Sequence, residues 1–68
     1  MKHEKEIFRE CYNLLTKYLN GKMNKDDWEA LKASASLLTS KYKEDIDDSM
    51  LCTELMCVVM AHLDRRQL

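Results

Sequence analysis

Sixty-eight residues, with 11 Lys and Arg against 12 Asp and Glu, a net charge of −1, one glycine and no proline, make a short chain with little room for a core. A chain of this length buries only about 60% of the surface its unfolded form exposes, so its stability is marginal unless something adds to it. The interleaved charges form no basic stripe for a phosphate backbone, and Thr53, Glu54 and His62 break the best apolar run well short of the ~18 residues that span a bilayer.

No β-branched run exceeds Val58-Val59, so strands have little to build on and the expected fold class is all-α. In the first segment Ile7, Phe8, Cys11, Tyr12, Leu14, Leu15, Tyr18 and Leu19 fill one half of a helical wheel. Arg9, Glu10, Asn13, Thr16, Lys17 and Asn20 fill the other. A helix over about 3–20 follows, ended by Asn20-Gly21 with Gly21 in the left-handed C′ conformation.

The second helix is expected over about 25–43. Asn24 is its N-cap, Asp26 and Asp27 meet the positive end of the dipole, and Met23 with Trp28 fits a hydrophobic staple. Trp28, Leu31, Ala35, Leu38 and Tyr42 recur at three- and four-residue spacing, a seam about 80° wide. The small residues Ala30, Ala33, Ser34 and Ser36 let a neighbour approach closely, and Leu37 stands alone opposite the seam.

The third helix is expected over about 47–66, capped by Asp47 with a second staple at Ile46 and Leu51, and closed by Arg65 and Arg66 at the negative end of the dipole. The short link before it forces a tight reversal. The result is an up-down-up, compact antiparallel three-helix bundle making one domain over 1–68. Within this helix Val58, Leu51, Leu55, Val59, Cys52, Leu63, Met56 and Met60 spread over an arc of roughly 200°, twice what one neighbour covers. Leu51, Leu55 and Val58 are assigned to the internal core, and Cys52, Met56, Val59, Met60 and Leu63 to an intermolecular side that closes a symmetric homodimer. In the competing arrangement, the third helix lies between the other two, which cover most of the arc and leave a monomer.

Chemical motifs are few. Cys52-x4-Cys57-x4-His62 looks like a metal set, but each five-residue step on a helix turns the side chain about 140°, so the three groups diverge. His3-Glu4 starts a zinc-protease pattern whose second histidine position holds Ile7. Asp45, Asp47 and Ser49 start a calcium loop whose glycine and glutamate positions hold Met50 and Met56. The acidic group Glu44, Asp45, Asp47 and Asp48 reads as a solvated helix start. His62, on an apolar flank, should be at least partly buried, and either hydrogen-bonds a neighbour such as Tyr12 or Tyr18 or sits at a rim. No metal, cofactor, small-molecule substrate or catalysis is expected.

Three cysteines cannot all pair within one copy, and the opening Met1-Lys2-His3-Glu4 is charged rather than apolar. The expected setting is therefore a reducing cytoplasm, with no membrane. The functional expectation is a non-catalytic protein–protein interaction module, a homodimer acting as adaptor or inhibitor of a larger protein not identified by the sequence. The alternatives are a helix-turn-helix-like nucleic-acid binder and a structural subunit of a larger assembly, such as one from a phage or mobile element. The first draws on Asn20-Gly21-Lys22-Met23, but Asp26, Asp27 and Glu29 beside Lys25 would set three carboxylates against one amine in the groove.

Overall fold

In a computed structural model, which describes residues 2–67, the chain is an all-α three-helix bundle: α1 (Glu4–Lys17), α2 (Lys25–Lys41) and α3 (Ile46–Arg66). The directions of the helices follow from their end contacts. His3, at the start of α1, bonds Asp48 at the start of α3, and Arg66 at the end of α3 donates to the Leu19 carbonyl just past α1. Those two helices are parallel. Between them in sequence, α2 runs the other way, since Lys41 and Tyr42 at its end reach back to Glu10. The packing centres on α3, which both other helices contact closely, while α1 and α2 barely touch each other.

Local chemistry explains the boundaries. Asn24 caps α2 as its sequence suggests: its side chain accepts from the Asp27 amide at 2.8 Å, and Asp27 accepts from the Asn24 amide at 3.0 Å. This reciprocal box satisfies two donors that the first turn would leave open. Met23 and Trp28 both pack half-buried against the core. The second staple does not form. Asp45, not Asp47, caps α3 by accepting from the Asp48 amide at 3.1 Å, which puts Ile46 inside the first turn and out in solvent.

The first helix ends three residues earlier than expected, at Lys17, with Tyr18 buried as it leaves the helix. Gly21 does take a positive φ of 111°, but in the connecting loop rather than at C′. The second helix likewise ends at Lys41, where Tyr42 turns into the core and donates its hydroxyl to Glu10 at 2.8 Å. In both places a buried tyrosine ends the helix, and no capping signal marks the spot.

The core runs through Ile7, Cys11, Leu31, Tyr42, Cys52, Met56, Val59 and Leu63. Cys11 and Cys52 face each other where α1 and α3 meet, and these small side chains let the two backbones come close. Burial, then the neighbouring Cys52, pushes the Cys11 thiol up to about 12. Both buried thiols are free, and the raised one is a poor nucleophile, so this pair fills space.

Candidate functional site

Of the five residues assigned to an intermolecular side, four are core residues. Cys52 and Leu63 are fully buried, Met56 and Val59 nearly so, and Met60 is half-buried beside Ala35 and Thr39 of α2. The assignment to an intermolecular side is therefore overturned for Cys52, Met56, Val59 and Leu63, and the assignment to the interior for Val58. Leu51 and Leu55 lie half-buried, and Val58, assigned to the interior, is 63% exposed. The physical reason lies in how the neighbours are placed. α1 and α2 both press on the side of α3 that carries Cys52, Met56, Val59 and Leu63, and they cover its flank at Leu51 and Leu55 in part. The competing two-neighbour arrangement accounts for most of the arc: four of its eight residues are buried, Leu51, Leu55 and Met60 are half-buried against the core, and Val58 stands exposed.

An open flank stands on α1 as well. Glu10, on one flank of α1, faces α2 through Lys41 and Tyr42. On the opposite flank stand Phe8 and Tyr12, 51% and 63% exposed, with Leu15 and Leu19 half-buried on the same side. On α3 the flank turned away from α2 carries Leu51, Leu55, Val58 and His62. It lies on the α1 side of α3, where Arg66 donates to the Leu19 carbonyl at 3.1 Å. The two flanks meet in one apolar face over the α1–α3 seam, on the side of the bundle opposite α2. Largely apolar patches of this kind on a small monomer are commonly functional.

The face has charged borders of opposite sign. Lys5 and Arg9 edge it along α1, at helical spacing from Phe8 and Tyr12, while Asp47 and Glu54 edge it along α3, at helical spacing from Leu51 and Val58, with Arg65 on the same stripe near the end of α3. All five are exposed.

A second apolar feature is a shallow groove of about 370 Å³ between α1 and α2, where Leu14, Leu37 and Leu38 line the walls. It exists because these helices make so little contact. One end is closed by Glu10, which accepts from Lys41 Nζ at 2.7 Å. Burial works to raise the Glu10 carboxyl, but the bonds from Lys41 and Tyr42 outweigh it and hold the group below the ordinary carboxylate range.

The polar group that sequence reasoning missed is Asp48. Expected in solvent with its acidic neighbours, it is 1% exposed and accepts from the backbone amides of Lys2 and His3 at 3.1 and 3.2 Å. Its other oxygen accepts from the His3 ring Nδ1 at 2.9 Å. Burial pushes this carboxyl upward, but the three bonds prevail and its affinity for a proton is lowered. The His3 ring also lies 5.5 Å from that of Tyr42, so one cluster ties the start of α1, the end of α2 and the start of α3. His3 and Asp48 stand 45 residues apart, and no local pattern joins them.

His62 is half-buried on the apolar face, and among the described residues no hydrogen bond joins it to Tyr12 or Tyr18. Cys52 is buried while Cys57 is exposed, and the described residues hold no group of three or more metal-ligating side chains. At the front of α2, Lys25, Asp26 and Glu29 are exposed and Asp27 is held in the capping box. Among the described residues no helix is long and apolar enough to cross a membrane. The chain matches no family model, no curated protein and no solved structure.

Proposed function

We propose that this chain is a protein–protein interaction module, an adaptor or inhibitor that works by docking the apolar face over α1 and α3 onto protein. One observation carries the reading: Phe8, Tyr12 and Val58 stand more than half exposed on the flanks of α1 and α3 turned away from α2. A small domain with so little interior gains from having such a face covered, because burial of apolar area is its main source of further stability. The bordering charges suit a partner with a similar apolar centre and charged edges, the usual layout of a protein interface.

Photocrosslinking in the producing cell tests the reading. A benzoylphenylalanine placed at Tyr12 or at Val58 is expected to give discrete adducts with protein, whereas the same probe at Lys32, on the exposed side of α2, gives none. Absence of adducts from Tyr12 and Val58, or equal labelling from Lys32, overturns it.

A further inference from the structure

We infer that the occupant of the α1–α3 face is a second copy of this chain, related by a two-fold axis parallel to the helices; the inference rests on the interaction reading above. Two arguments select this occupant. Given the exposure of Phe8, Tyr12 and Val58 and the half-buried leucines between them, the face offers roughly 500 Å² of apolar surface per copy. Two copies together then reach about 1,000 Å² before the charged borders are counted, the lower bound for a specific interface.

The second argument is charge. Rotation by 180° about an axis along the helices lays α1 of one protomer over α3 of its partner with no shift along the axis. The end contacts set the levels: His3 meets Asp48 at an offset of 45 residues, and Leu19 meets Arg66 at an offset of 47. Residues of α1 thus stand level with residues of α3 about 45–47 positions later. Arg9 comes level with Glu54, and Lys5 falls between Asp47 and Glu54. In the pair, Lys5 and Arg9 of each α1 run along Asp47 and Glu54 of the facing α3, twice by symmetry, while Arg65 on the same α3 stripe comes level with residues 18–20, beyond the end of α1. A two-fold perpendicular to the helices would set α1 on α1, where that edge carries Lys5 and Arg9 and no carboxylate.

Sedimentation equilibrium on the full chain tests the pairing, with charge reversal testing its geometry. The wild type is expected to show twice the mass of one chain, and a single-chain mass into the millimolar range overturns the inference. Arg9→Glu alone and Glu54→Arg alone should each weaken self-association roughly five- to thirtyfold, since each turns two attractive edge pairs repulsive. An equimolar mixture of the two variants should recover association close to wild type, because the mixed pair restores both contacts. Single variants that pair as tightly as the wild type, or a mixture that shows no preference for mixed pairs, overturn the parallel arrangement. A chain that sediments as a monomer while Tyr12 and Val58 still crosslink to another protein overturns self-pairing and leaves the interaction reading standing.

Discussion

Val58 and Val59 are neighbours in sequence and opposites in consequence. One stands 63% exposed on the flank facing away from α2; the other is 7% exposed in the core. The rest of α3 grades between these two: Cys52, Met56 and Leu63 are buried with Val59, while Leu51 and Leu55 pack half-buried against the core and lead out to Val58. The hydrophobicity of the two sides is alike, so hydrophobicity does not decide their fates. What decides them is where two neighbouring helices lie, and two helices fully cover only one side of a third.

Substitutions on the buried side should have the largest effects. Leu63→Ala removes a fully buried side chain of the core, with an expected cost of about 2–5 kcal/mol. Against the marginal stability of so short a chain this is enough to unfold much of the population, which urea titration followed by circular dichroism will show. A cost below about 1 kcal/mol would mean that Leu63 is not where the core is. Asp48→Ala comes next, since it removes the acceptor of three bonds that tie residues 2 and 3 to α3. It should lower Tm by on the order of 5–10 °C, whereas Leu51→Ala on the open flank should lower it by much less.

The same carboxylate sets an acid limit. Because the folded state lowers the proton affinity of Asp48, and of Glu10 likewise, their contributions are present above the ordinary carboxylate range. They are lost as pH falls below about 4 through the depressed folded values. Tm measured against pH should therefore fall on that limb, and less steeply in Asp48→Asn. An equally steep limb in the variant would remove Asp48 from the account.

Thiol labelling sharpens the contrast without changing the fold. Cys57 is exposed and should react with a maleimide at the rate of a free thiol, while Cys11 and Cys52 react only as fast as the chain opens. Three equal rates would contradict the packing of α1 on α3. The smallest effect belongs to the stability of the isolated chain on substitution at the open flank: Val58→Glu should change it by no more than about 0.5 kcal/mol.

Much of this was legible beforehand, and the parts that were not share a cause. The half-apolar wheel of the first segment, the Asn24 cap and the Trp28–Tyr42 seam identify three helices and their up-down-up order, because each signal is local. The helix ends at Lys17 and Lys41 were not legible: they follow from Tyr18 and Tyr42 turning into a core that other helices build. The cap moved from Asp47 to Asp45 because three nearby aspartates offer the same chemistry and burial of Asp48 selects among them. Which side of α3 faces inward has no local signal either. A 200° apolar arc looks the same from both sides, and the bond from His3 to Asp48, 45 residues apart, is among the contacts that fix the rotation.

The division of α3 into a side that holds the fold and a side that meets a partner is tested most directly by the solution mass of Val58→Glu at concentrations where the wild type pairs, with helicity read on the same sample. The account predicts the mass of a single chain at wild-type helicity. A pair that persists, or a chain that loses its helices, would contradict it.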